Sequence, residues 1–266
     1  MDIGPLDVEI TCPAEPGFSG RLARGLRAQV FERLQRYPYF AVLKNFPESD
    51  DSENVQRLSR SLGYYHPYFG LLLRLKGRRP KPRITRIAVT RSDTDKRTLA
   101  TKYSRTASAL APHTDGTFLP RPYDMLILQC VLPDEIGGET ILVAIDDIIA
   151  KLSSHQIYSL REAAFPFGGL IAPVLSGPLS GQDIRYYRGQ IDHSYEKGIA
   201  RPQRGAVETL EFLDQILRDP GAQFQFKLAA GDVLIVNNKK TLHGRTGLPE
   251  DSERLLFRSR IFSRHV

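Results

Sequence analysis

Leu22, Leu26, Val30 and Leu34 recur every four positions between Phe18 and Tyr37, with Phe31 beside them, and this apolar stripe predicts an amphipathic helix. Arg24, Arg27, Arg33 and Arg36 take its other face. The run FAVLKNF at 40–46 is short and apolar enough for a strand, and the acidic cluster from Glu48 to Glu53 opens a second helix ending near Gly63. From there strands dominate: ITRIAV (84–89), DMLILQCVL (124–132), ETILVA (139–144), QFQFKL (223–228), DVLIVNN (232–238) and RLLFRSRIF (254–262), several with apolar and polar residues alternating. Gly137-Gly138 predicts a turn between two of them. Helical patterns return at 145–164 and 206–218.

Many strands joined by Gly and Pro turns, with few helices, predict a mainly β protein with flanking α-helices: a jelly-roll-like sandwich. No internal repeat or low-complexity linker argues for a cut, so one domain over 1–266 is expected. It divides into a helical N-terminal part at about 18–63 and a jelly-roll core at about 84–262, with an insertion at about 145–222. One core of this size is feasible for 266 residues. With 41% hydrophobic and 25% charged residues, collagen-like, coiled-coil and wholly disordered chains are excluded. No stretch approaches the roughly 18 apolar residues of a membrane span, and the N-terminus carries acids where a signal peptide needs a basic and then apolar run. A cytoplasmic protein without membrane contact is expected. Cys12 and Cys130 are too few for a disulfide framework or a thiolate cage, so any metal falls to His and carboxylate, and Cys130 reads as core packing.

The net charge of +7 is unevenly spread. Between Arg74 and Arg105 twelve Lys or Arg face only Asp93 and Asp95. Such a run can be a solvated face, or it can attract an anionic small molecule or an acidic carrier protein. Nucleic acid fits less well, because Tyr103 is the run's one aromatic and no reader motif accompanies it.

The candidate chemistry centres on His113-Thr114-Asp115. At a strand end, residues two apart project to the same side, so imidazole and carboxylate could converge on one ion. His243 follows the strand DVLIVNN, in NNKKTLHGRTG. Two histidines and a carboxylate on one face of a metal, with the other positions open, is the arrangement of non-haem Fe(II) oxygenases. Further on, Arg254, Arg258 and Arg260 share one face of a predicted strand with Leu256. A buried arginine row needs anions, and a carboxylate matches a guanidinium in geometry.

With those residues in view, the chain resembles the taurine dioxygenase and clavaminate synthase-like family of Fe(II)- and 2-oxoglutarate-dependent oxygenases. The resemblance runs from about Phe40 to the C-terminus and is anchored in HTDGTF (113–118), GGETILVA (137–144), NNKKTLHGRTG (237–247) and RLLFR (254–258). It implies a double-stranded β-helix, a distorted jelly roll with flanking helices. It also implies iron on His113, Asp115 and His243, a 2-oxoglutarate carboxylate bonded by Thr140, and its far carboxylate paired with Arg254. Arg258 matches a position that reaches 2-oxoglutarate or an acidic group of the substrate. The implied activity is hydroxylation of an unactivated C–H in a small acidic or amino-acid-like metabolite, with dioxygen consumed and succinate and CO₂ released. Asp115 favours this over halogenation, which relatives lacking the carboxylate perform.

Desaturation, epoxidation and cyclisation share the same first step and stay open. So do a silent or hydrolytic metal-binding jelly roll, for which Thr140 and Arg254 would have no use, and an oxygenase acting on nucleic acid. Arg185, Tyr186, Tyr187 and His193 are weaker candidates for the substrate side, whereas His66 and His155 read as ordinary histidines.

Overall fold

The computed structural model describes residues 8–13, 19–47, 52–65, 84–89, 103–162 and 164–263. Most of the basic run, and His66, lie outside the described residues.

Two sheets face each other. The larger takes strands in the order β1 (Glu9–Thr11), β2 (Phe40–Lys44), β13 (Val233–Asn237), β6 (Met125–Leu132), β15 (Leu255–Ser263) and β3 (Gly63–Tyr64), with β4 (Thr85–Ile87) also on β15. The smaller runs β12 (Phe224–Phe226), β7 (Thr140–Ala144), β14 (Thr241–Arg245), β5 (Leu110–His113). Every pairing is antiparallel except β1 with β2.

Alternation along the strands sorts side chains into layers, as period-two geometry requires. Met125, Ile127, Val233, Ile235 and Ile261 point outward from the large sheet. There they pack on α1 (Gly20–Leu34), through the Leu22, Leu26, Val30, Leu34 stripe, and on α2 (Glu53–Leu62), through Val55, Leu58 and Leu62. Ser19 caps α1 by accepting from Leu22 N at 3.0 Å, which fixes the helix start. Leu126, Leu234, Val236, Leu142, Ala144 and Leu256 point between the sheets.

The outer face of the small sheet, Val143 and Leu242, is covered by the insertion. Here the continuous helical pattern over 145–164 is broken into α3 (Ile145–Ile149) and α4 (Ser154–Glu162). After α4 come two small hairpins that alternation did not reveal, β8 (Phe165–Phe167) with β9 (Leu170–Ala172) and β10 (Leu175–Ser176) with β11 (Asp183–Ile184). The helices α5 (Arg188–Glu196) and α6 (Arg204–Arg218) complete the layer. Short strands of two or three residues give too few repeats for period two to stand out.

Among the described residues no helix is long and apolar enough to cross a membrane.

Candidate metal and 2-oxo acid site

Strand register brings the site together. On β14, His243 lies opposite His113 of β5, and Arg245 lies opposite Thr140 of β7. His113, Asp115 and His243 are all buried and each offers a ligand atom within 4.8 Å of the others'. The two imidazole rings lie 4.4 Å apart between centroids.

Asp115 reaches this place by a route different from the expected pleat. The strand ends at His113, and Asp115 opens a turn whose next residue, Gly116, has φ +75°. Asn238 sets that turn. Its Oδ1 accepts from Asp115 N at 2.7 Å, and its Nδ2 donates to Asp115 O at 2.9 Å and to Tyr123 O at 2.8 Å. On the other side, Thr114 N donates to Tyr186 O at 2.8 Å and Thr114 Oγ1 accepts from Tyr186 N at 3.0 Å. Arg185 donates to the carbonyls of Thr117, Leu119 and Pro120 further along the loop. Thus Arg185 and Tyr186, weak candidates for substrate contact, hold the loop that carries Asp115, while the Tyr187 ring stands 5.0 Å from that of His113. His193 lies on α5 beside Glu196, and His155 is exposed on α4.

Asn238 went unnoticed in the sequence because Asn beside a strand end is common chemistry; only its position in NNKK next to the motif marks it. Three bonds from one buried side chain imply an expected loss of about 3 kcal/mol in Asn238→Ala, since each abandoned buried partner costs about 1–3 kcal/mol. Thermal or urea unfolding should show that loss, with weakened metal uptake alongside.

The donor set fits a divalent cation. His113 Nδ1 lies 3.0 Å from Ala111 O, an atom that only accepts, so Nδ1 carries the proton and Nε2 keeps its lone pair. His243 Nε2 is 3.8 Å from Asp115 Oδ2, a buried oxygen with no hydrogen-bond donor of its own. Burial lowers the pKa of both histidines, and the neighbouring imidazole takes that of His243 down further. Burial by itself would raise the pKa of Asp115, but Arg260 and then Arg258 outweigh it and hold the group ionised. Neutral imidazoles and a charged carboxylate are the protonation states that metal ligation requires.

Beside the histidines opens a cavity lined by Leu110, Leu126, Leu128 and Leu256 and by the polar groups Thr140, Arg245, Arg254 and Arg258. Arg254 and Arg258 both line it, although Arg254 precedes β15 and a register shift lies between Leu255 and Leu256, so even spacing on one strand is not what brings them together; Arg260, expected in the same row, does not line it. Arg254 is buried and its guanidinium is paired with no carboxylate among the described residues. Burial lowers the pKa of Arg258 to about 10, and its buried Nε has no hydrogen-bond partner. Two charged guanidiniums in an apolar cavity are a demand for anions.

Arg245 was not singled out in the sequence. It is spent on the loop below, donating to the carbonyls of Thr106, Ala107 and Thr246. Gly138 explains the paired glycines. At φ +70°, a Cβ there would lie 2.7 Å from Leu248 Cδ2 and 3.2 Å from Arg254 Cδ, so the turn leaves room for the arginine only without a side chain.

Comparison with known proteins agrees with this geometry. The family described as taurine catabolism dioxygenase TauD, TfdA family matches residues 7–160 and 176–260, starting well before the Phe40 expected from the motifs. A curated relative, the tyrosine isonitrile desaturase of Pseudomonas aeruginosa, is 25% identical over 276 residues, covering 93% of this chain and 85% of that protein. Among solved structures, asparagine oxygenase aligns with TM-score 0.68 at 14% identity over 96% of this chain and 93% of its own. The non-haem iron oxygenase OrfP, in complex with (3S)-hydroxy-L-Arg, aligns with TM-score 0.65 at 17% identity over 91% of this chain and 82% of its own. The fold is the double-stranded β-helix that the motifs implied, and with the family matched across most of its length the chain belongs to the TauD/TfdA dioxygenases.

Proposed function

We propose that this protein is an Fe(II)- and 2-oxoglutarate-dependent oxygenase that oxidises a C–H bond of a small amino-acid-like molecule. The observation that carries the reading is the continuity of one cavity, lined by His113 and His243 and also by Thr140, Arg254 and Arg258. A metal-binding site without a co-substrate would have no need of the buried arginines.

When bound, iron and 2-oxoglutarate supply the oxidising power: dioxygen is split, the 2-oxo acid becomes succinate and CO₂, and the substrate C–H is oxidised. His113, Asp115 and His243 would hold the metal from one side, which would leave room beside it for the co-substrate. Arg254 would pair with the far carboxylate of 2-oxoglutarate, and Thr140 would donate a hydrogen bond to a 2-oxoglutarate carboxylate. Arg258 would meet 2-oxoglutarate or an acidic group of the substrate. The leucines keep water out, which strengthens each of these charge contacts.

Relatives support the substrate class. Asparagine oxygenase was solved with hydroxyasparagine, Fe(II) and succinate, and OrfP with hydroxylated arginine. A zwitterionic or anionic substrate, free or on an acidic carrier, also suits the excess of Lys and Arg in 74–105, and a cytoplasmic setting suits both the reduced iron and the buried free thiols Cys12 and Cys130.

Purified protein given Fe(II), 2-oxoglutarate and ascorbate should form succinate slowly alone and faster with one member of an amino-acid panel. The product mass then separates hydroxylation from desaturation, a gain of one oxygen against a loss of two hydrogens. Desaturation is kept because the curated relative is named for it. No iron-dependent succinate under any condition would refute the reading.

A further inference from the structure

Arg260 stands two residues beyond Arg258 on the same face of β15, yet it does not line the cavity. Its Nε lies 3.1 Å from Asp115 Oδ2, and its guanidinium carbon stands 5.8 Å from the centre of the Tyr123 ring. The oxygen it meets is the one 3.8 Å from His243 Nε2. One carboxylate oxygen therefore faces two claimants, a guanidinium on one side and the locus of a divalent cation on the other. The contact with Arg260 is an ion pair without hydrogen-bond alignment, since Asp115 Oδ2 has no donor in line. A directional hydrogen bond would remain beside a metal, whereas a purely charge-based contact weakens once a dication takes over the same oxygen. The side chain is also a quarter exposed, so it has somewhere to go.

From this geometry we infer that Arg260 and the metal compete for Asp115. Arg260 is the counter-ion that holds the buried carboxylate in place before metal arrives, and it gives up that contact when metal binds. It is a positioning residue for the centre, not a ligand. This rests on the assignment of His113, Asp115 and His243 as metal ligands.

The competition makes an unusual demand: losing Arg260 must harm the metal-free protein more than the loaded one. In Arg260→Gln the metal-free form should melt about 5 °C or more below wild type, because the buried carboxylate loses its partner. The Co(II)-loaded variant should melt close to loaded wild type. By the same thermodynamic cycle, Co(II) should bind the variant more tightly, by about tenfold. Arg260→Lys, which keeps the charge, should restore most of the metal-free stability, and it serves as the readout should the Gln variant fail to fold. Calorimetric titration of Co(II) and melting of both forms give all the quantities without any turnover. Equal losses in the metal-free and loaded forms would mean that Arg260 stays on Asp115 throughout, and would overturn the competition while leaving the metal centre intact. Weaker Co(II) binding in the variant would do the same. Wild-type protein that takes up no Co(II) would overturn the metal centre and the competition together.

Discussion

His113→Ala and His243→Ala are expected to abolish 2-oxoglutarate turnover, with succinate formation falling to the background of protein lacking iron. On the proposed ligand set each variant would remove one of three protein ligands, and no fourth His, Cys or carboxylate joins that cluster among the described residues. The described residues offer one cluster of this kind, two His and one Asp, and the charged groups lining the adjoining cavity are arginines, which repel a cation. Because His113 pairs with His243 across β5 and β14, either loss also leaves the surviving imidazole facing a hole. Metal titration separates this from misfolding: the variants should melt as cooperative folded proteins yet bind Co(II) far more weakly than wild type. A histidine variant with near-wild-type turnover would remove that residue from the ligand set.

Arg254→Ala produces a different phenotype. Iron affinity should hold, because no metal ligand changes, while the affinity for 2-oxoglutarate should fall about thirtyfold or more. That figure follows from the roughly 2–5 kcal/mol lost when one side of a buried charge pair is truncated. The pair has no substitute, since Arg245 is committed to the carbonyls of Thr106, Ala107 and Thr246 and Arg258 sits at another point of the wall. The measurement is the dependence of succinate formation on 2-oxoglutarate concentration, set against Co(II) binding. Unchanged 2-oxoglutarate dependence would remove Arg254 from the co-substrate site.

The contrast between these two residue sets reflects what was legible in the chain. Long periodic segments declared themselves: the stripe Leu22 to Leu34 became α1, and the alternation in 124–132, 232–238 and 254–262 became three adjacent strands of the large sheet. Period two holds for Leu256, Arg258 and Arg260 within the last strand, whereas Arg254 precedes that strand and a register shift separates Leu255 from Leu256, so its place in the cavity wall does not follow from parity.

What parity could not supply was the position of Asp115. Its side chain is aimed by a turn with Gly116 at positive φ and by three hydrogen bonds of Asn238, a residue more than a hundred positions away. Contacts across such separations depend on register between strands, which no local pattern encodes. The break between α3 and α4, within a helical pattern that reads as one, has the same character, since packing of Ile145, Ile148 and Leu160 into a shared core decides where the chain bends. The role of Arg185 and Tyr186 as a brace for the loop 114–120 is likewise visible only in three dimensions.

The central claim is that one cavity joins the metal ligands to a 2-oxo acid site. An oxygen-free crystal structure of the protein with Fe(II) and 2-oxoglutarate tests it most directly. The account predicts the metal bonded to His113, His243 and a carboxylate oxygen of Asp115, with 2-oxoglutarate inside the cavity and its far carboxylate on Arg254. Metal bound elsewhere, or 2-oxoglutarate lying away from Arg254, would contradict it.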